Sequence, residues 1–331
     1  MSQKILTVSI AAYNVSKFIR KALDSLIVDE AYLQSLEVII VNDGSTDDTA
    51  SIAQEYRKKY PQTFRVIDKE NGGYGSTINV SLAVAAGKYY KLLDGDDWYD
   101  KNGLCELIDY LKETSADLVI NPYYEVKRSS KVVHHHLDIP KEETDILSLH
   151  LDDRHFQMHG ITVKTDRLKR YNHPITEHCF YTDIEYVFYC LVASNTVSRF
   201  DQPVYNYRMD ITGQSVSLAG IQKHYREHMT VTDRICRCYK EECGVFSGGK
   251  REIIDHAVTF NIYGVFNGYM VLKGAGKHKK ELMAFDKRLE EKYPTAHKAG
   301  DASNVVRITW LLRFHLYWLL CGYMKLKFGG F

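Results

Sequence analysis

The residues of this chain best suited to chemistry are acids that follow apolar runs. Asp94-Gly95-Asp96-Asp97 packs three carboxylates into four positions, and charges so close repel one another unless a cation sits among them. Hard oxygen ligands of this kind suit Mg²⁺ or Mn²⁺, which complete their shells with water and substrate phosphates. Gly95 is expected to keep the turn open for a phosphate. A solvated acidic turn or a helix cap uses the same residue types, so the motif alone leaves both readings open. Asp43, in VNDGSTDDT, can accept the imide N–H of uracil or serve as an ordinary cap for the next helix. Tyr13, just past the first apolar run, can stack on a base or pack at the edge of the core.

The elements that position these residues follow from periodicity. ILTVSIA, LEVIIVND, FRVIDKE and KYYKLLDGDD are short, β-branched or apolar runs that read as buried strands. Helical spacing is expected over Val15 to Ile27, from GSTDDT to about Lys59, and over Ser76 to Ala86 with Gly87 as its C′ glycine. Strands alternating with helices imply an α/β fold with a mainly parallel central sheet, whose ligands gather beyond the carboxyl ends of the strands. Three of the four strand ends carry Asp or Asn-Asp. Further on, DLVINPYYEV reads as a strand, KRSSKVVHHHLDIP as a hairpin or loop, and YTDIEYVFYCLVA as a helix. Three consecutive histidines on a strand alternate between faces, so His134, His135 and His136 cannot converge on one ion. The βα rhythm stops near residue 220, which divides a catalytic domain over 1–220 from a helical C-terminal region over 221–331.

In order and spacing, SIAAYN, VIIVNDGSTDDT, ENGGYGSTIN and AAGKYYKLLDGDDW resemble the family 2 glycosyltransferases, with the nucleotide-sugar-binding fold called GT-A. The resemblance covers roughly residues 5 to 215. It implies that Ala11 to Tyr13 contact the nucleobase and that Asp43 bonds uracil. It places Asn71, Gly72 and Gly73 beside the nucleotide, Asp94 near the ribose and Asp96 on the metal that bridges the diphosphate. Asp97 then supports the arrangement. Tyr181 to Tyr186 resembles the family's acidic segment at a helix start, which points to Asp183 as the general base, with Glu185 two positions on as the fallback. One carboxylate must take the acceptor hydroxyl's proton as that oxygen attacks the anomeric carbon. Capping its own helix is the other role open to Asp183. Where many members carry an Arg-Asn pair, this chain has Ile78-Asn79, so a cation is expected from the metal, Lys69 or another residue. His159 falls where the family lines the acceptor pocket, and Arg208 or Gln214 is expected at the donor diphosphate.

The implied activity is an inverting transfer from a UDP-sugar to a hydroxyl acceptor, glycan or lipid-linked, in surface-polysaccharide or glycoprotein assembly. A catalytically inactive nucleotide-sugar-binding or scaffold relative is the alternative. A sugar nucleotidyltransferase would need a glycine-rich basic loop after the first strand, and AAYNVSKF has no glycine. GGYGST lacks the Gly-Lys-Ser/Thr of a phosphate-cradling loop. With 43 basic against 42 acidic residues, no global field recruits nucleic acid. The start, MSQKILTVSIAAYN, has no secretory pattern, which implies a cytoplasmic setting and free thiols for the seven cysteines. The most apolar stretch, Val305 to Phe328, joins Trp310, Trp318 and Tyr317 to Arg307, Arg313, Lys325 and Lys327. It reads as a helix lying on the inner membrane face, or as a packing element against the protein itself or a homodimer partner.

Overall fold

The computed structural model describes residues 4–135, 138–151, 155–209 and 217–328. The chain falls into two compact units, Met1–Ile211 and Thr212–Phe331. The first unit opens with β1 (Leu6–Ala12), α1 (Ile19–Asp24), α2 (Glu30–Ser35), β2 (Leu36–Asp43), α3 (Thr49–Lys59), β3 (Phe64–Lys69), α4 (Tyr74–Val84) and β4 (Tyr89–Asp94). It continues with β5 (Trp98–Tyr99), α5 (Lys101–Glu113), β6 (Leu118–Ile120), β7 (Tyr123–Val126), β8 (Lys131–His134) and β9 (Thr144–Asp145). It closes with β10 (Ile161–Lys164), α6 (Thr165–Tyr171), α7 (Thr182–Ala193), β11 (Thr196–Arg199) and β12 (Tyr205–Arg208).

The main sheet runs β3-β2-β1-β4-β10-β6-β11-β9. Its first four strands are parallel, while β10 runs antiparallel to both β4 and β6. The four expected strands form, and their apolar residues, such as Val8, Ile10, Ile40 and Leu93, are fully buried. A second sheet, β5-β12-β7-β8, takes up the hairpin of β7 and β8. The single strand expected over DLVINPYYEV is two: β6 joins the large sheet and β7 the small one. His134 stacks on Tyr123 at 4.9 Å, and His136 lies outside the described residues.

Two expected helices change shape for local reasons. The one expected over Val15 to Ile27 covers only Ile19–Asp24, because the preceding amides are engaged elsewhere. Val15 N–H donates to Thr49 Oγ1 at 2.9 Å and Ser16 N–H to Asp47 Oδ2 at 3.1 Å. The other, α4, ends at Val84, and Gly87 is not a left-handed cap, since it is absent from the positive-φ glycines of the described chain. Gly87 is required by contact, because a Cβ there would sit 2.5 Å from the Thr7 backbone nitrogen on β1.

The second unit holds α8 (Leu218–Glu242), α9 (Gly248–Met270), α10 (Ala275–Lys292), α11 (Pro294–Ala299), α12 (Asn304–Leu311) and α13 (Tyr317–Phe328). No helix among the described residues is long and apolar enough to cross a membrane. Trp310 belongs to the interior of this unit. Its Nε1–H donates to Asp286 at 2.6 Å and its ring stacks on His297 at 4.1 Å.

The two explanations for Gly87 separate on substitution. Asn is tolerated at a left-handed cap but not against a backbone nitrogen. Gly87→Ala and Gly87→Asn are therefore both expected to lower the urea-unfolding stability of the first unit, by about 1–3 kcal/mol. An Asn variant as stable as the parent would refute the contact explanation.

Candidate active site

Parallel pairing brings four strand ends to one edge. In register, Lys69 lies beside Asp43, Asn42 beside Ala12, and Ala11 beside Asp94. This row forms the floor of a crevice at the carboxyl end of the sheet, where doubly wound folds take their ligands.

Asp43 is only 2% exposed. Its Oδ1 accepts from Lys69 Nζ at 2.7 Å and from the Gly72 amide at 2.9 Å, and its Oδ2 accepts from the Gly73 amide at 2.9 Å. Asn71 Nδ2 donates to the Asp43 carbonyl at 3.0 Å. The Asn71-Gly72-Gly73 segment is thus clasped to the end of β2. Gly73, at φ 79°, takes a conformation that favours glycine, and a Cβ on Gly72 would meet Ser76 Oγ at 2.6 Å. The carboxylate read from the sequence as a base acceptor is therefore engaged in holding this loop. Its Oδ2 has the Gly73 amide as its one named donor, so an incoming N–H would join or replace that bond. Beside it, Tyr13 is 51% exposed and Ala11 partly so. Their loop is tied to the β2–α3 turn, where Asn14 Oδ1 accepts from the Thr46 amide at 2.8 Å.

The acidic turn after β4 carries unequal carboxylates. Asp97 is buried, with one oxygen accepting from Tyr205 Oη at 2.7 Å and the other from the Arg208 amide at 2.7 Å. Asp94 accepts from Tyr74 Oη at 2.7 Å, and its own amide donates to Tyr205 Oη at 3.1 Å. Burial, and then the Asp96 charge, push the Asp94 carboxyl up to about 8. The Tyr74 hydrogen bond pulls the other way and Asp183 adds to the push. Burial, and then the charges of Asp94 and Asp96, raise Asp97 as well. Burial also raises Asp96, against the pull of its own amide and of the Arg208 guanidinium. Arg208 Nε donates to the Asp96 carbonyl at 2.8 Å, with its guanidinium 5.0 Å from the Phe18 ring and 4.8 Å from Trp98. Arg208 is thus a cation beside the acids, whereas Ile78, at the position of the family's arginine, is buried in the core. Gln214 lies outside the described residues. Gly95 has a packing reason in the fold. A Cβ there would fall 2.9 Å from the Ala11 carbonyl, so the residue lets the acidic turn close against the first loop.

Three groups at this turn could share a metal ion. Ligand atoms of Asp94, Asp97 and His159 all lie within 4.8 Å of one another. Burial lowers His159 to about 3, so its imidazole is neutral and keeps a lone pair for an ion. Its ring stacks on Tyr207 at 4.3 Å and meets Tyr205 edge-on at 4.7 Å. Asp96 stands outside that trio. Crowded carboxylates with raised affinity for protons fit a divalent cation, which would take the protons' place.

Asp183 lies in the first turn of α7, half-buried, with its carboxyl raised by burial and drawn back by the amides of Ile184 and Asp183 itself. Its charge reaches Tyr74 and Asp94. Glu185 has a different task. Fully buried, it accepts from the Thr176 amide at 2.9 Å and from Tyr189 Oη at 2.8 Å. A carboxylate held in this way anchors the helix and is not available as a base. Asn79 pins the same segment by exchanging hydrogen bonds with both the amide and the carbonyl of Ile175.

Tyr74, Tyr205 and Lys91 do structural work here that the sequence reading did not assign. Lys91 is fully buried, and its Nζ donates to Asn121 Oδ1 and to the carbonyls of His159 and Ile161, at 2.9–3.2 Å. A lysine in the middle of the apolar KYYKLLD run was the available signal, since a buried ammonium needs acceptors.

Residues 7–181 match the family model described as glycosyl transferase family 2. A curated relative is an uncharacterized glycosyltransferase, the MG025 homolog of Mycoplasma pneumoniae, 28% identical over 61% of this chain and 64% of its own length. Another is the minor teichoic acid biosynthesis protein GgaB of Bacillus subtilis, 27% identical over 66% of this chain and 25% of that protein. The chain thus spans less than two thirds of the length of either relative. Among solved structures, S. aureus TarS 1-349 in complex with UDP superposes with a TM-score of 0.62 at 20% identity, over 93% of this chain and 92% of that one. That likeness establishes the GT-A type of fold.

The clasp around Asp43 yields a stability test. Asp43→Asn removes the charge facing Lys69 and sets its new NH₂ donor against one of the two loop amides. It is expected to cost about 3 kcal/mol in urea unfolding, against at most roughly 0.5 kcal/mol for Tyr13→Ala. Equal, small effects from the two would contradict the clasp.

Proposed function

The chain belongs to glycosyl transferase family 2, and on that premise we propose that it is an inverting transferase moving a sugar from a UDP-sugar to a hydroxyl acceptor. The observation that carries this reading is the meeting of Asp94, Asp96 and Asp183 at the edge where the clasped Asn71–Gly73 loop and the exposed Tyr13 also lie. In the proposed arrangement Ala11, Tyr13 and Asn71 to Gly73 receive the nucleotide, with the uracil N–H exchanging into the Asp43 donor set. Asp94 faces the ribose. Asp96, whose carboxylate accepts no hydrogen bond from another described side chain, would hold a Mg²⁺ or Mn²⁺ ion that neutralises the leaving diphosphate. Arg208 offers a second positive charge on the same side.

In the chemical step Asp183 takes the proton of the acceptor hydroxyl. That oxygen bonds to the anomeric carbon, the bond from that carbon to the diphosphate oxygen breaks, and UDP leaves with the electron pair. One displacement inverts the anomeric centre. The acceptor in this reading is a glycan or lipid-linked hydroxyl in surface-polymer assembly at the inner face of the membrane; one relative named for minor teichoic acid biosynthesis supports the surface-polymer part of it.

Asp183→Asn is expected to keep UDP-sugar affinity and to lower turnover by about 10²–10⁴-fold, the worth of a positioned base. Glu185→Gln should instead lower unfolding stability. Normal turnover in the Asp183 variant would remove it from the mechanism, and retained configuration in the product, read by NMR, would exclude a single displacement.

The pH profile carries its own sign. A base must be ionised to act, and burial raises Asp183 from 3.8. The acid limb of kcat should therefore lie above the ordinary carboxylate range, with activity falling as pH drops through it and the limb absent from Asp183→Asn.

For the ion, Mn²⁺ is expected to raise the melting temperature of the parent protein in the presence of UDP, and Asp96→Ala to abolish that increment. If His159→Gln abolishes it and Asp96→Ala does not, the ion belongs to the Asp94–Asp97–His159 trio instead.

A further inference from the structure

The second unit ends in a helix that is apolar on both sides. Along α13, Tyr317, Cys321 and Met324 recur at helical spacing and are buried, at 2%, 6% and 0% exposure. They form the face that packs on the unit's own helices. On the opposite face Trp318, Leu319, Tyr323 and Leu326 stand out, from 47% exposed at Leu319 to 83% at Leu326. At 100° per residue these four span the side directly away from the packed face, and Lys325 and Lys327 fall on either flank of it. Exposed large apolar side chains in this density, rimmed by charge, mark a contact surface.

Within the segment that carries the stripe, the charge is of one sign. From Ser303 to Phe328 the chain has no acid and carries Arg307, Arg313, Lys325 and Lys327. An open groove of about 480 Å³ adjoins the stripe, with Trp318 and Gly322 on one wall and Lys277 and Lys325 supplying two ammonium groups. Lys273, Lys279 and Lys280 add to the cationic run around the start of α10. α13 has 12 residues, too few to span a bilayer, so its apolar face can enter one only by lying along it.

We propose that the outer face of α13 docks on an anionic phospholipid surface. Trp318, Leu319, Tyr323 and Leu326 would enter the headgroup boundary, and Lys277, Lys325 and Lys327 would meet lipid phosphates. The charge complementarity is what commits the face to this occupant. A second copy of the chain would bring the same cations against themselves across a two-fold contact. The site stands on the second unit alone and does not depend on the transferase reading. It also differs from the sequence expectation in its residues, since Trp310 and Tyr317 face inward.

Flotation of the full chain on vesicles of phosphatidylcholine alone, or mixed with phosphatidylglycerol, tests this directly. The protein should float only with the mixed vesicles and detach as salt is raised. Leu326→Glu together with Trp318→Ala should weaken binding by roughly tenfold or more, and Lys325→Glu with Lys327→Glu by a similar factor. All four side chains are exposed, so circular dichroism melting should stay at the parent value and separate lost docking from lost folding. Flotation unchanged by either pair, or equal on both vesicle types, overturns the assignment. A chain that ignores both vesicles yet sediments as a dimer split by Leu326→Glu also overturns it, and gives the face to a second copy.

Discussion

Like-charge repulsion at the carboxyl edge of the sheet is the constraint to which the first unit is built. Asp94, Asp96 and Asp97 follow one another around a single turn, and Asp183 comes in from α7 close enough for its charge to register on Asp94. Left to itself such a group would spread apart or take up protons. Three kinds of restraint hold it. Tyr74 and Tyr205 give hydroxyl hydrogen bonds to Asp94 and Asp97, and Gly95 lets the turn close on the Ala11 carbonyl. Arg208 then places a cation beside Asp96 and spends its backbone amide on Asp97. Burial raises all three carboxyls, crowding adds to it at Asp94 and Asp97, and a divalent ion would relieve both.

The same logic explains why two acids of α7 with similar sequence surroundings do different things. Glu185 is buried and accepts from Tyr189 and from the Thr176 amide, so it fixes where the helix begins. Asp183, half a turn earlier, faces the crevice as a consequence. Asn79 secures the strand of backbone leading into α7 by bonding both polar groups of Ile175. Its neighbour Ile78 is core. That position therefore supplies no charge in this chain, and the cations near the acids come from the far end of the unit, at Arg208, and from Lys69 on β3. Lys69 is held by Asp43, so its charge serves the loop before it serves a ligand.

Periodicity in the sequence sufficed for the parallel half of the sheet, because buried parallel strands are continuous apolar runs and cannot be mistaken for surface. It failed where local bonds compete with helix formation. Val15 and Ser16 look helical by spacing, yet their amides go to Thr49 and Asp47 across the sheet edge. Gly87 sits where a C′ glycine is expected, and only the approach of β1 gives its actual reason. The acids of the site were legible because charge at strand ends is rare. Their restraints were not, since a tyrosine that holds a carboxylate has the same local pattern as a tyrosine that fills a core. Asp43 shows the limit from the other side. The right residue was singled out, while the donors that occupy it, Lys69 and two loop amides, lie 26 to 30 positions away in the chain.

In the second unit one apolar stretch is visible in the sequence, with nothing there to divide it. Trp310 and Trp318 are eight residues apart, each among leucines and followed by a basic residue within a few positions. Packing separates them. Trp310, half-buried, finds an acceptor in Asp286 and a stacking partner in His297, so its indole is engaged within the unit. Trp318 follows directly after a buried tyrosine, and that one step around the helix turns it 100° away from the packed face. A helix whose inner face is already filled by Tyr317, Cys321 and Met324 has no folding use for four further large apolar side chains on its outside. Their presence therefore calls for a surface beyond the fold, and the absence of any acid from Ser303 to Phe328 in the sequence sets the sign of that surface.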